Sequence, residues 1–373
     1  EASSWPAYQA ADSFSLGDDN VTAKLPFAIP FVFHCQTTQT GLFATQLMDG
    51  ILGLSAHPDT LVPMMVKQNK LLHNMFSLCF HNEPVLSKES GLMTLGGVDE
   101  RLHESPMVYA KRVKKEDYGT GSANNAWYYS VHVKNIYLME GSTTQEEFDS
   151  SFMLPQSKSK NKHIHPITHH PVLDLRLINS GKGVIIDSGT TDTYLGTTLK
   201  TPFETKWKEI MSSKGWADYH NEEVELTEND ILSLPSILIQ LQTFDSKTTI
   251  IGDPNTVPGL TGAIDSTSPS DVIFVIPPTH YLEYSSSKDT YTSRVYFTES
   301  FGAVLGANSM QGHDVLFDLE NERIGFAKSS CSYEVIEESN NEEIFQKLEN
   351  SGNEEGAVVV DCILGAPSLS ITC

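Results

Sequence analysis

The chain consists mainly of short apolar or alternating runs that are separated by glycine, proline, asparagine and aspartate. Such runs are typical of β-strands, and the residues between them favour turns. The pattern therefore predicts a mainly β protein. The predicted strands lie in LPFAIPFVFHC (25–35), FSLCF (76–80), GLMTLGGV (91–98), WYYSVHVKNIYL (127–138), GVIID (183–187), ILIQLQTF (237–244), DVIFVIPP (271–278), SRVYFTE (293–299) and HDVLFDLENERIGFA (313–327).

Helical periodicity is confined to two stretches, residues 57–76 and 199–216, where apolar positions recur every three or four residues. Between the strands, residues 117–126 (DYGTGSANNA) are rich in Gly, Ser and Asn, which is the composition of a link between two lobes. Residues 155–171 are polar and interrupt the β pattern, so they predict an exposed insertion.

Four histidines in this predicted insertion could form a metal site, because imidazoles close in sequence can converge on one ion. A solvated loop explains the same residues without a metal, so we expect neither a metal nor another cofactor. The histidines are His163, His165, His169 and His170.

The composition limits the classes of function. With 373 residues, 39% of them hydrophobic, the chain can form two ordinary domains. Its net charge of −23 repels phosphate backbones, so nucleic acid is not an expected partner. Residues 331–356 have the composition of a solvated acidic tail. The apolar end that follows is short and contains Asp361 and Pro367, so it does not predict a membrane span, although a membrane tether stays an alternative.

The stretch GKGVIIDSGTTDTYL (181–195) is the strongest candidate for chemistry. Its apolar run ends at Asp187, which predicts a buried strand that delivers one carboxylate into a tight turn. Gly189 allows backbone N–H groups to face that carboxylate, and Ser188, Thr190 and Thr191 add hydroxyl donors. The alternative is an aspartate that stabilises only its own turn.

Five segments, taken in order, resemble those of pepsin-family aspartic endopeptidases of the memapsin-like or protist-type branch. They are TQLMDGILGLS (45–55), LMTLGGVD (92–99), WYYSVHVKNI (127–136), GVIIDSGTTDTYL (183–195) and VLG with VLFDLENERIGFA (304–327).

The resemblance implies a mainly β, bilobal pepsin-like acid protease fold with a polypeptide-binding cleft between the lobes. Residues 1–118 would then belong to the N-terminal lobe, 119–334 to the C-terminal lobe and 335–373 to an acidic tail. Asp187 would be one of two catalytic aspartates, with Leu305 and Gly306 threading beside it. The other aspartate would be accompanied by Ile51, Leu52 and Gly53. The expected protein is a monomer.

The resemblance also implies that part of the site lies outside these residues, because the one Asp-Ser/Thr-Gly of the chain is at 187–189. The opening EASSWPAYQAAD (1–12) resembles the descending part of the family's flap, with Ala2 where glycine is expected. We therefore expect an N-terminal truncation ahead of or within the flap, an incomplete first lobe, and no activity from these residues alone. The expected substrate-binding residues are Gly189, Thr190, Thr191, Ser3 and Ser4.

The five cysteines contain no CxxC pair, which argues against a zinc site, and their spacing leaves their connectivity open. The resemblance implies a disulfide between Cys79 and Cys331 that crosses the lobes. Cys362 and Cys373 could then close a terminal loop, with Cys35 free or paired upstream. Such a bridge needs an oxidising lumen. Together with the glycosylation sequon at Asn20, it indicates the secretory pathway: extracellular, vacuolar, lysosomal or cell-surface.

Other interpretations stay open. A pepsin-like pseudoenzyme would keep the lobes and bind proteins or glycans without cutting them. An unrelated β-rich lumenal structural protein would share only the strand pattern. A homodimer with one aspartate from each subunit would restore a pair of carboxylates, but it would leave the rest of a first lobe without a use.

Overall fold

The computed structural model describes residues 7–16, 27–38, 50–81, 91–114, 127–141, 164–167, 175–212, 216–244, 264–265, 267–332 and 358–360. Several residues selected from the sequence lie outside these ranges, so their predicted roles stay predictions. They are Ser3, Ser4, Asn20, His163, His169, His170, Cys362 and Cys373.

The described residues form a mainly β structure, as the sequence pattern predicts. The strands are β1 (Ala7–Phe14), β2 (Ile29–Gln36), β3 (Met75–Phe80), β4 (Gly91–Leu95), β5 (Val108–Lys111), β6 (Ser130–Val131), β7 (Val133–Met139), β8 (Ile164–Pro166), β9 (Val184–Ile186), β10 (Thr193–Gly196), β11 (Ser236–Leu241), β12 (Val272–Ile276), β13 (Leu282–Ser285), β14 (Thr290–Ser293), β15 (Val295–Glu299), β16 (Ala303–Leu305), β17 (His313–Asp318), β18 (Arg323–Lys328) and β19 (Val358–Val360).

Short helices connect these strands. They are α1 (Leu61–Lys67), α2 (Leu175–Ile178), α3 (Lys200–Met211), α4 (Glu228–Ser233), α5 (Pro278–Tyr281) and α6 (Ala307–Met310), with 3₁₀ turns at Glu100–Leu102 and Thr197–Leu199. None of the described helices combines the length and the apolar character that crossing a membrane requires.

The six-stranded sheet has the order β19-β4-β3-β17-β18-β5 and combines strands from both predicted lobes. β3 pairs antiparallel with β17, with Cys79 opposite Asp314. A disulfide joins Cys79 to Cys331, which confirms the predicted bridge. This bond joins residues that are 252 positions apart in the sequence. Cys35 is also disulfide-bonded, so the expectation of a free Cys35 is wrong.

The five-stranded sheet, with the order β15-β10-β16-β9-β6, carries the predicted catalytic strand. α3 packs behind it. Phe203, Trp207 and Met211 lie one helical turn apart, and all three are buried. Each buried side chain of this size contributes roughly 1.5–3 kcal/mol relative to exposure. This apolar face therefore anchors α3 in the core that supports the site.

The structure differs from the sequence pattern in several places, and β5, β13 and β14 are strands that the pattern does not predict. The helix predicted over 57–76 is confined to Leu61–Lys67, since Asn69 adopts a left-handed conformation with φ 55°. The predicted insertion 155–171 contains β8, which pairs with β7. The predicted tail, residues 335–373, contains β19 in its apolar end, and β19 pairs with β4. In β8, pairing with a distant strand supplies what the polar local sequence does not.

Candidate active site

Asp187 lies directly after a buried strand, as the sequence predicts. β9 pairs in parallel with β16 and antiparallel with β6, so it is enclosed on both edges. The N–H of Asp187 donates to the carbonyl oxygen of Leu305 at 3.0 Å, and the N–H of Ile186 donates to that of Tyr129 at 3.0 Å. The backbone at the start of the turn is therefore held from two sides.

The turn wraps donors around the carboxylate of Asp187. The N–H of Gly189 donates to Oδ1 at 3.0 Å, and the hydroxyl of Thr190 donates to Oδ2 at 2.7 Å. The N–H of Thr190 donates to the carbonyl oxygen of Asp187 at 3.2 Å. Hydrogen bonds to an ionised acceptor are stronger than neutral ones, so both carboxylate oxygens have a fixed orientation.

A glycine behind the turn lets the backbone strands approach each other. A Cβ at Gly306 would lie 2.1 Å from the carbonyl oxygen of Asp192 and 2.6 Å from that of Thr190. The N–H of Ala307 donates to Thr190 O at 2.7 Å. The segment Leu305–Gly306 thus threads beside the aspartate turn, where the resemblance places it.

A cavity of about 420 Å³ opens beside Asp187. On one side, Lys182 and Glu299 form an ion pair at 2.8 Å, and on another, Tyr194 stacks on Tyr296 with ring centroids 5.3 Å apart. The lining residues are Tyr128, Lys182, Ile185, Asp187, Thr190, Tyr194, Thr298, Glu299 and Val304.

Segment 51–53, which the resemblance predicts as the first-lobe counterpart of Leu305–Gly306, is exposed. Ile51 is 72% exposed and Leu52 is 39% exposed. A Cβ at Gly53 would meet nothing within 4 Å among the described residues, in contrast to Gly306. The segment is nevertheless joined to the second lobe, because the hydroxyl of Tyr129 donates to the carbonyl oxygen of Leu54 at 2.7 Å.

The aromatic run at 127–129 is divided between the core and the surface. Tyr129 is buried against Phe76 and Phe317, which is the core role that aromatic residues on strands usually have. Trp127 and Tyr128 are each 41% exposed, and Tyr128 lines the cavity. Tyr128 is therefore available to a ligand, whereas Tyr129 is not.

The histidine cluster has one member in the described part of the chain. The Nε2 atom of His165 lies 2.7 Å from Oε1 of Glu140, so this side chain pairs with a carboxylate. Within the described residues, no group of three or more His, Cys, Asp or Glu side chains could hold a metal ion.

Sequence reasoning missed the residues that support the turn from behind, namely Asp192, Arg294 and Asn308. Asp192 directly follows the sequence Asp-Ser-Gly-Thr-Thr at 187–191, and this position is the signal that could have identified it. Its partner Arg294 lies 102 residues further along the chain, so no local pattern connects the two.

Comparison with known proteins agrees with this geometry. The family model for eukaryotic aspartyl proteases matches residues 15–329. The chain belongs to this family. Within the aspartyl protease family, the chain is similar to a beta-secretase of Strongylocentrotus purpuratus, with 36% identity over 80 residues. It is also similar to plasmepsin IV from two isolates of Plasmodium falciparum, with 30% identity over 110 residues.

These similarities cover limited parts of each protein. The beta-secretase match spans 20% of this chain and 15% of that protein, and the plasmepsin IV match spans 28% of this chain and 23% of that protein. The chain thus covers less than a quarter of each relative, while the family model covers most of the chain.

Proposed function

We propose that this aspartyl protease family member is an aspartic endopeptidase that hydrolyses polypeptides, with Asp187 as one of two catalytic carboxylates. One observation carries the proposal: the carboxylate of Asp187 is oriented by Gly189 and Thr190 at the edge of an open cavity. The proposed substrate-binding residues are Gly189, Thr190 and Thr191 in the turn, and Ser3 and Ser4 at the start of the chain.

The chemistry of this reaction needs two neighbouring carboxylates. They share one proton, because two adjacent negative charges repel each other. The ionised carboxylate takes a proton from the water molecule that attacks the scissile carbonyl. The protonated carboxylate donates a hydrogen bond to that carbonyl and later protonates the leaving amine. Asp187 has the fixed, accessible carboxylate that either role requires.

The second carboxylate is proposed to come from outside residues 1–373, which contain one Asp-Ser/Thr-Gly sequence. The open segment Ile51–Leu52–Gly53 supports this proposal, since its counterpart Leu305–Gly306 is closed against the Asp187 turn. We therefore propose that the first lobe within 1–118 is incomplete, that 119–334 form the second lobe, and that 335–373 form a tail. Residues 1–373 alone are then expected to be inactive.

The test is peptide cleavage by the full-length protein and by residues 1–373. Full-length protein should cleave peptides in a pepstatin-sensitive manner, and Asp187→Asn should abolish cleavage because it removes the ionisable group. Asp218→Asn is the matched control, since Asp218 is an exposed aspartate that pairs with Lys208 on the surface. Pepstatin-sensitive cleavage by residues 1–373 would contradict the proposed need for an outside carboxylate.

A protein-binding pseudoenzyme is the second candidate, favoured by the presence of one Asp-Ser/Thr-Gly in 373 residues. In that case full-length protein would bind polypeptide without turnover, and Asp187→Asn would leave binding unchanged. A homodimeric protease is distinguished by sedimentation, since its cleavage activity would depend on protein concentration and would accompany a dimer.

An oxidising compartment is proposed for the protein. The disulfide between Cys79 and Cys331 and the disulfide-bonded Cys35 support residence in the secretory pathway, where such bonds persist. The sequon at Asn20 would carry a glycan there. A monomer with polypeptide partners is the form that we propose.

A further inference from the structure

An ion pair between a buried aspartate and a partly exposed arginine lies behind the Asp187 turn. Asp192 is 6% exposed, and its Oδ1 atom accepts a hydrogen bond from Nε of Arg294 at 3.0 Å. Arg294 lies between β14 and β15, so the pair joins the end of the turn to a distant strand junction. A second carboxylate, that of Glu283, lies 3.2 Å from Nη1 of the same arginine, but Glu283 faces solvent.

The backbone around this pair is closed by further hydrogen bonds. The N–H of Thr193 donates to the carbonyl oxygen of Arg294 at 3.1 Å, and Nδ2 of Asn308 donates to the same oxygen at 3.2 Å. The hydroxyl of Thr193 donates to Oδ1 of Asn308 at 2.8 Å. The segment at Thr193 is therefore joined to two later segments, one of which lies 115 residues further along the chain.

The same network reaches the catalytic carboxylate. The N–H of Asn308 donates to the carbonyl oxygen of Thr191 at 3.0 Å, and that of Ala307 donates to the carbonyl oxygen of Thr190 at 2.7 Å. The hydroxyl of Thr190 in turn donates to Oδ2 of Asp187. Hydrogen bonds therefore connect the segment that holds Arg294 to Thr190, the group that orients Asp187.

We propose that Asp192 and Arg294 are positioning residues, which hold the turn so that Thr190 keeps the carboxylate of Asp187 in its reactive orientation. This inference rests on the proposed function. Removal of the Asp192 carboxylate takes away the acceptor that holds Nε of Arg294, which loosens the arginine and the turn that is joined to it. Displacement of a reacting group by about 1 Å can lower a rate about a hundredfold. Arg294 touches no reacting atom, so its effect passes through the turn.

Steady-state kinetics of full-length protein tests the proposal. Asp192→Ala removes the acceptor, whereas Asp192→Asn keeps an oxygen that Arg294 can bond. Glu283→Ala is the matched control, because it removes the other carboxylate on the same arginine, and Glu283 is 61% exposed. Active sites are counted by titration with pepstatin, so that loss of folded protein does not count as loss of rate.

The expected result is that kcat per titrated site falls about tenfold or more in Asp192→Ala, with KM within about twofold of wild type. Asp192→Asn should recover part of this loss, and Glu283→Ala should match wild type. If kcat per titrated site stays within about twofold of wild type in both Asp192 variants, the pair is only structural and the proposal is overturned.

Hydrogen exchange separates this proposal from the proposed function, because exchange does not need an active enzyme. The amides of Thr193, Ala307 and Asn308 donate hydrogen bonds across the network. They should therefore exchange about tenfold faster in Asp192→Ala than in wild type, and at the wild-type rate in Glu283→Ala. If wild-type full-length protein is inactive, the proposed protease is refuted, and faster exchange in Asp192→Ala then shows only that the pair holds the turn. Unchanged exchange in Asp192→Ala overturns the positioning role, whatever the activity.

Discussion

Single residues decide how closely the strands around Asp187 can approach. Gly306 is the clearest case, since a Cβ there would lie 2.1 Å from the backbone oxygen of Asp192. Carbon and oxygen atoms that are not bonded to each other do not come this close, and a backbone oxygen inside a sheet cannot rotate away as a flexible side chain can. Only glycine therefore fits at position 306 unless the turn moves.

Replacing Gly306 by alanine should therefore destabilise residues 1–373 by about 3 kcal/mol, which is the upper range for overpacking a tight site. Urea unfolding measures the free energy. Gly50→Ala is the control, because a Cβ at Gly50 meets nothing within 4 Å of the described residues. Its free energy of unfolding should stay within about 0.5 kcal/mol of wild type. Equal losses in the two variants would contradict this explanation.

At the scale of elements, β17 and α5 bury two imidazoles side by side. His313 of β17 and His280 of α5 have ring centroids 6.4 Å apart. Burial lowers the pKa of His313 to about 4, although a hydrogen bond to the carbonyl oxygen of Gln311 opposes the shift and the charge of Lys328 adds to it. Burial, with the neighbouring His313, lowers the pKa of His280 to about 3. Both side chains are therefore neutral in the folded protein at pH 6.

The pH dependence follows from these depressed values. The unfolded chain takes up protons near pH 6.5, whereas folded His313 does so only near pH 4, so acid favours unfolding. The stability from a neutral His313 is fully present above pH 6.5 and is lost as the pH falls from 6.5 to 4. This loss amounts to about 3 kcal/mol for His313.

Between pH 6.5 and 4, the free energy of unfolding of His313→Gln should therefore decrease less steeply with falling pH than that of wild type. Urea unfolding at each pH measures this free energy. His73→Gln is the control, since His73 is half-exposed and pairs with Glu320 on the surface. A His313→Gln variant with the wild-type slope would show that His313 does not set the acid sensitivity.

At the scale of the whole molecule, the six-stranded sheet and one disulfide join the two predicted lobes. β3, β4 and β5 come from residues 75–111, and β17 and β18 come from residues 313–328. The bond between Cys79 and Cys331 closes a loop of 252 residues. Cross-linking so long a loop removes much conformational freedom from the unfolded chain. The position of the lobes therefore depends on contacts that are remote in sequence.

Replacing both Cys79 and Cys331 by alanine should lower the free energy of unfolding by about 4–5 kcal/mol, because the unfolded chain regains the freedom of this loop. Chemical denaturation of residues 1–373 measures the loss. Reduction of the wild-type protein also breaks the disulfide of Cys35, so it should give a loss at least as large as that of the double variant. A double variant that unfolds at the wild-type denaturant concentration would contradict this role of the bridge.

Local sequence was sufficient where the physical cause is local. Neighbouring residues predict the strand before Asp187, the donors of Gly189 and Thr190, and the apolar face of α3. The reason is that strand patterns, turn chemistry and helical periodicity each act over a few positions of the chain. The order of the five family-like segments was sufficient to predict the family and, through the resemblance, the disulfide between Cys79 and Cys331.

The tertiary structure alone decided what depends on distant partners. From the sequence, Asp192 is only a polar residue after Asp187-Ser-Gly-Thr-Thr, and the fold alone brings Arg294 to it. Likewise, β8 lies in a polar stretch, and it becomes a strand because β7 supplies its hydrogen bonds. The buried state of His313 likewise follows from packing by α5 and β18, not from its neighbours in sequence. A residue's partners, burial and pKa belong to its surroundings in space, and only the folded chain defines those.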